Sequence, residues 1–384
     1  MPYAISHKQK DMRIGIDARF YGPLGKGLGR YTQKLVENLE NIDQENQYII
    51  FLRQENWNDY KPHNTNFHKV LADYRWYTLA EQINLPKKIR QSQLDLMHFP
   101  HFNVPILYTG RFVVTIHDLI LTQYPTVRAS TLGPLLYKIK HLGYKLVIAS
   151  AVHRAKLILT VSNYTKSQII SHFKINESKI KVVYEGLDPI VKQESLLQKS
   201  ILDKYQVKKP YFLYVGNAYP HKNLETLLNA FKKFISNNVN YYLVLVGKED
   251  YFFERLKKQA NELGIEKNVT FAGFVSDLDL PCLYQNATLY IFPSYCEGFG
   301  LPPLEAMSYG VPVAASQAAS LPEVLGNAAY YFNPHKENEL IESIEKLITD
   351  SQLRDNLIDK GLERVKNFNW QKLAASTLSL YKSV

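Results

Sequence analysis

The sequence is poor in cysteine, with two in 384 residues, Cys282 and Cys296. Two thiols cannot build a disulfide framework or a thiolate metal cluster, so the fold must stand on its core, and a reducing compartment suits it. No run of about 18 uncharged apolar residues occurs, which excludes an ordinary membrane-spanning helix. The opening MPYAISHKQKDM lacks the apolar centre of a secretory signal. The expectation is a soluble chain, cytoplasmic or peripheral at the inner face of the plasma membrane. There is no G-x-x-x-x-G-K-[ST], and the first glycine loop is spaced G-x-G-x-G rather than G-x-G-x-x-G. The second strand ends in Phe51-Leu52-Arg53, where a dinucleotide site needs an acid. P-loop and nicotinamide chemistry are therefore poor readings. No repeat of 20 to 50 residues is visible.

What is present points elsewhere. The length is natural for two domains. Lys and Arg outnumber Asp and Glu by 46 to 36, and the excess is one-sided: residues 1–190 carry 25 against 15, residues 191–384 carry 21 against 21. Such asymmetry fits a polyanionic partner: phospholipid headgroups, a phosphorylated substrate or nucleic acid. No nucleic-acid recognition motif is visible, and none is expected as a partner.

Short β-type runs alternate with helical patterns, which predicts α/β architecture with parallel sheets. The strand candidates are RIGID (13–17), QYIIFL (47–52), LDLMHF (94–99), RFVVTI (111–116), KLILTV (156–161) and KVV (181–183). After a polar stretch come YFLYV (211–215), YYLVLV (241–246), VTFAGF (269–274), ATLYIF (287–292) and VPVAAS (311–316). Two doubly wound units follow, residues 1–190 and 191–365, with a helix over 366–384 returning to the first.

In such sheets ligands bind beyond the carboxyl ends of the strands. Three strand-to-helix junctions stand out. After RIGID come Gly22, Gly25, Gly27 and Gly29, with a helix expected from about Gly29; backbone amides there can approach a diphosphate. After YFLYV comes GNAYPHKN, with Lys222 at a helix opening, where the dipole disfavours a cation unless an anion is to be held. After ATLYIF comes CEGFGLPPLEAM, with Glu297 and Glu305 flanking a glycine loop and a helix opened by Pro302-Pro303. Eight residues of helical rise would separate the two acids by about 12 Å, too far for the roughly 5 to 9 Å of a glycosidase pair. They read as two hands on one elongated ligand, each accepting hydrogen bonds from hydroxyls, although an acid in a first helical turn is also favoured by the dipole alone. None of the three junctions carries a D-x-D acid cluster.

E-G-F-G-L-P-P-L-E resembles the E-x7-E motif of the retaining glycosyltransferases of family 4, with the two-Rossmann GT-B fold. TIHDL (115–119), VSNYTKSQI (161–169), YVGNAYPHKN (214–223), GFVSDLDL (273–280) and the PSYCEGFGLPPLEAMSYGVPVAASQAASLPEVLGNAAYYFNP block extend the likeness over nearly the whole chain. The resemblance implies that Glu297 binds donor-sugar hydroxyls, that Glu305 binds the nucleotide ribose, and that Gly298, Phe299, Gly300 and Leu301 supply backbone donors. Lys222 would brace the departing diphosphate, Gly27 and Gly29 would approach it from the other domain, and His117 would lie near the reacting sugar. Phe274 and Val275 would line the base pocket. Asn217 stands where many relatives have Arg, so either Lys222 and the loop amides suffice or Arg30 or Arg19 compensates.

The activity implied is retaining, metal-independent and cofactor-free hexosyl transfer, most simply of mannose from a GDP-sugar. The partners implied are a nucleotide sugar and a glycan or lipid-linked acceptor, in surface polysaccharide (lipopolysaccharide-type) synthesis. A non-catalytic sugar-nucleotide-binding subunit of the same fold is the alternative. Residues 130–156, with Lys138, Lys140, Lys145, Arg154 and Lys156 among Leu, Ile, Val and Tyr, read equally as a basic amphipathic helix able to lie on anionic membrane or as an ordinary domain helix with a solvated basic face.

Overall fold

The computed structural model describes residues 11–124, 134–191 and 195–384. The first ten residues, and residues 130–133 of the basic segment, lie outside it. Among the described residues the strands form two wholly parallel sheets. The first holds β1 (Arg13–Asp17), β2 (Gln47–Leu52), β3 (Phe67–Leu71), β4 (Leu96–Phe99), β5 (Phe112–Ile116), β6 (Leu157–Thr160) and β7 (Ile180–Val182), in the order β3-β2-β1-β4-β5-β6-β7. The second holds β8 (Tyr211–Val215), β9 (Tyr242–Val246), β10 (Val269–Gly273), β11 (Leu289–Phe292), β12 (Val313–Ser316) and β13 (Tyr330–Phe332), in the order β10-β9-β8-β11-β12-β13. Strand order reverses between β1 and β4 and again between β8 and β11. Open parallel sheets bind ligands beyond the strand ends at such reversals, and all three junctions leave from these strands.

Two strands escape the sequence reading, both at sheet edges. β3 carries His68 and Lys69 at its centre, because an edge strand covered on one side tolerates them; the Lys69 ammonium is held by the Trp57 and Tyr60 carbonyls. β13 is only Tyr330–Phe332.

Helices cover both faces of the first sheet, so its interior strands are mostly apolar runs rather than alternating. In β2, Ile49 and Phe51 face one core, which Ile148, Ala151 and Val152 complete. Ile50 and Leu52 face the other core, which is continuous with that of the second sheet. The link is the helix Trp370–Tyr381. It lies along the helix Lys26–Ile42 of the first sheet, and its Tyr381 hydroxyl reaches His98 Nδ1 at 2.5 Å.

The helix Pro134–Arg154 departs from the amphipathic expectation. Its inner side packs Ile148, Ala151 and Val152, while Ile139, Leu142 and Leu146, at i, i+3 and i+7, form a second apolar stripe about 60% exposed, with Lys138, Lys140 and Lys145 exposed beside it. A helix apolar on two opposite sides has no single polar face.

Candidate functional site

The first junction is a helix start rather than a long loop. A 3-10 turn, Pro23–Gly25, leads into the helix at Lys26, so Gly27 and Gly29 lie in its first turn. First-turn amides have no partner within the helix, which is what a phosphate requires. A Cβ on Gly29 would sit 2.0 Å from the Gly22 carbonyl oxygen, whereas Gly27 faces open space.

Arg19 is not available to a ligand, contrary to one expectation. It is 1% exposed; its guanidinium bonds Asp17 at 2.7 and 2.8 Å, Glu81 at 2.7 Å and the Tyr74 carbonyl at 3.1 Å. The reason is charge: Asp17 and Glu81 are both buried and need this cation, and burial still pushes the Glu81 carboxyl above its usual range. Arg30 is placed differently, one turn into the helix Lys26–Ile42. It spans Asp188, at 2.7 and 3.2 Å, and Glu305 Oε1, at 2.5 Å.

The second and third junctions are fastened to each other. Asn223 takes a left-handed conformation (φ 60°) between the 3-10 turn Pro220–Lys222 and the helix Leu224–Ile235. Its side-chain amide donates to the Pro293 and Pro334 carbonyls. The Tyr295 amide donates to the His221 carbonyl at 2.8 Å. This fixes Lys222 opposite Glu297: the ammonium lies 2.7 and 2.8 Å from the two carboxylate oxygens, with side chains 13% and 9% exposed. Burial pushes the neighbouring His221 down to about 4, helped by the Lys222 charge. Asn217 accepts from the Tyr219 amide at 3.3 Å through its side-chain oxygen, shaping the turn that delivers Lys222.

Gly300, at φ 101°, caps the helix Leu301–Ser308, with Pro302 and Pro303 in its first turn. Glu305 therefore stands beyond that turn, and the dipole does not account for it. Its Oε1 takes Arg30 from the opposite domain, and its Oε2 accepts from the Tyr284 hydroxyl at 2.9 Å. Burial raises the Tyr284 phenol far above the usual range, so it stays a donor.

Gly298 brings the backbones of the two halves close together. A Cβ there would lie 2.2 Å from the His117 carbonyl oxygen and 3.0 Å from Asp118 Cβ. Its carbonyl accepts from Ser162 Oγ at 2.7 Å. His117 leaves the end of β5 with Nε2 2.9 Å from the Pro100 carbonyl and Nδ1 3.3 Å from Glu185, its ring edge-on to Tyr31. Asp118, beside it, has its carboxyl raised by burial.

The structure thus brings Lys222, Glu297, Gly298 and His117 to one place, with Arg30 and Glu305 joined across the same gap. It separates Phe274 from Val275: the first is 74% exposed, the second 4% and part of the core. Sequence reasoning missed Tyr284, Ser162, Asp118 and Glu323. The motifs quoted for likeness held three of them in view without a role: TIHDL contains Asp118, VSNYT contains Ser162 and SLPEV contains Glu323.

Two family models match the chain: glycosyltransferase family 4 over residues 25–190 and glycosyl transferases group 1 over residues 199–364. The O-antigen chain mannosyltransferase B of Escherichia coli is 30% identical over 382 residues, covering 93% of this chain and 96% of that protein. The O-antigen chain mannosyltransferase RfbU of Salmonella typhimurium is 31% identical over 287 residues, covering 74% of each. Among solved structures, Anabaena HepE in complex with UDP-glucose superposes with a TM-score of 0.74 at 19% identity, covering 97% of this chain and 100% of that one. The chain belongs to glycosyltransferase family 4 and has the GT-B fold, two parallel-sheet α/β domains facing across a cleft.

Proposed function

We propose that this glycosyltransferase moves a mannosyl group from a nucleotide-diphosphate sugar, GDP-mannose first among candidates, with retention and without a metal, to a glycan or lipid-linked acceptor of a surface polysaccharide. The observation that carries the reading is the Lys222–Glu297 pair at the β8/β11 reversal, on a loop whose Gly298 packs against the His117 backbone. Breaking a sugar–phosphate bond puts charge on the departing diphosphate. Lys222, the first-turn amides of the helix at Lys26 and the Leu301 amide, ahead of two prolines that have none to give, are preorganised donors for it. Glu297, its carboxylate held by the Lys222 ammonium, is an acceptor for sugar hydroxyls. Glu305 would take the ribose, exchanging its Arg30 contact for the hydroxyls. The mannosyl reading rests on the two O-antigen mannosyltransferase relatives.

Incubation with labelled GDP-, UDP- and ADP-sugars, with and without chelator, tests this directly. Turnover of GDP-mannose that persists in chelator and falls by about 10²-fold or more in Glu297→Gln is expected. Preference for another sugar, or loss of activity on chelation, removes the corresponding part.

For the acceptor side, the outward stripe Ile139, Leu142 and Leu146 supports contact with an anionic bilayer. No Asp or Glu occurs from residue 119 to 176, while eight Lys and Arg do. Among the described residues no helix is long and apolar enough to cross a membrane. Flotation with phosphatidylglycerol-containing vesicles, absent with pure phosphatidylcholine and lost in Leu142→Glu, is the expected result; equal behaviour with both vesicles refutes it.

A further inference from the structure

Beside the paired junctions runs a seam between the two domains. Glu323, in the short helix Leu321–Leu325, sends its carboxylate into the first domain. Oε1 accepts from the Asn163 amide at 2.7 Å, from Asn163 Nδ2 at 2.9 Å and from the Tyr184 hydroxyl at 2.9 Å; Oε2 accepts from the Tyr164 amide at 3.0 Å. Asn163 and Tyr164 open the helix Asn163–Phe173, so these amides have no intrahelical acceptor, and that helix end attracts negative charge. The adjacent residue on each side also grips the Glu297 loop. Ser162 Oγ donates to the Gly298 carbonyl, and Ser320 Oγ lies 3.0 and 3.1 Å from the Glu297 and Phe299 carbonyls. Arg364 fastens the back of the helix through the Glu323 and Val324 carbonyls, at 2.7 and 2.9 Å.

One carboxylate therefore collects four hydrogen bonds from the opposite domain, two of them from backbone, on an element tied to the loop that carries Glu297. The carboxylate is half-buried at the seam, not walled in, so water can replace its partners when the domains part.

We propose that Glu323 is a positioning residue: a latch that holds the 297–300 loop against the first domain and so sets the gap across which Glu297, Lys222 and His117 meet one sugar. This rests on the reading of that loop as donor-binding. Glu323 touches no substrate; it acts by the fraction of molecules whose cleft is closed. Apparent donor affinity falls in proportion to that fraction. Tyr184, with its ring against Phe299 and Phe368, is the smaller part of the same device.

The test uses the full chain. Glu323→Ala is expected to raise the KM for the nucleotide sugar by about tenfold, to enlarge the radius of gyration in small-angle scattering, and to move Tm by less than about 2 °C. Tyr184→Phe, which removes one bond of four, gives a smaller rise in KM. The double variant falls short of the product of the two, because both act on one contact. Unchanged KM and unchanged radius in Glu323→Ala overturn the latch. So does a large fall in Tm with KM unaltered, which would make Glu323 a plain structural residue. Glu297→Gln, run in parallel, separates the two readings. If it is inactive while Glu323→Ala is silent, only the latch fails; if it is fully active, the donor-loop reading fails with it.

Discussion

Gly298→Ala isolates how much the cleft geometry matters, because it adds one methyl group and changes no charge. Gly298 is not in the left-handed region, so alanine suits its backbone and the effect is one of space. The new Cβ would meet the His117 carbonyl oxygen at 2.2 Å, and real Cβ atoms keep at least 3.0 Å from such neighbours. The atom it meets is backbone at the end of β5, which does not yield as a flexible side chain does. The loop must therefore retreat by roughly 1 Å, stretching the Ser162 bond to the Gly298 carbonyl and carrying Glu297 away from His117. A displacement of about 1 Å costs on the order of 10²-fold in rate, which corresponds to about 2.7 kcal/mol of barrier. The lost hydrogen bond removes only about 1 kcal/mol of stability. Steady-state transfer of labelled sugar should show kcat down by about 10²-fold, with Tm lowered by only a few degrees. A kcat within twofold of the parent would refute the idea that the two domains meet at this loop during catalysis.

Three further outcomes follow from the same geometry. Arg19→Met leaves Asp17 and Glu81 buried without their cation, so denaturant unfolding should show a loss of about 3–5 kcal/mol, while the donor KM of the surviving enzyme stays unchanged; a raised KM at full stability would return Arg19 to the phosphate. Burial holds His98 and His101 down at about 3 and His221 at about 4, all below the ordinary 6.5 of the unfolded chain. The unfolded state thus takes up protons first: the contribution is complete above pH 6.5 and is lost as pH falls towards about 3. Melting curves should show Tm dropping over that window, less steeply in His98→Asn, and a flat profile would contradict it. Lys222→Ala strands the Glu297 carboxylate in a 9% exposed site, and should lower both stability and kcat, whereas Lys222→Arg should restore stability before activity.

How far the sequence exposes this structure depends on the range of the forces involved. Interior strands such as YIIFL and LYIF are legible because burial on both faces demands unbroken apolar runs. β3 and β13 are not, because edge strands admit His, Lys and Tyr. The glycine and Pro-Pro signals locate helix openings, since they act on neighbouring backbone; even so, the first helix begins at Lys26 because amides of its opening turn need no side-chain cap. Pairings across the chain leave no local trace. Lys222 and Glu297 stand 75 residues apart, Arg30 and Glu305 stand 275 apart, and Glu323 and Asn163 stand 160 apart. Arg19 shows the converse: a cation near a glycine loop suggests phosphate, and only coordinates reveal two buried acids that claim it first. The helix Pro134–Arg154 misled for a related reason, because a pattern of apolar residues does not say which of two apolar sides is inside.

The return of Trp370–Tyr381 to the first sheet has a consequence for biogenesis. Tyr381 is fully enclosed beside His98, a residue made nearly three hundred positions earlier. A ribosome releases the first domain long before it can supply this wedge, so the usual order in which amino-terminal units mature early is blocked. The half-made enzyme would wait with an apolar trough along Lys26–Ile42 until Trp370–Tyr381 emerges.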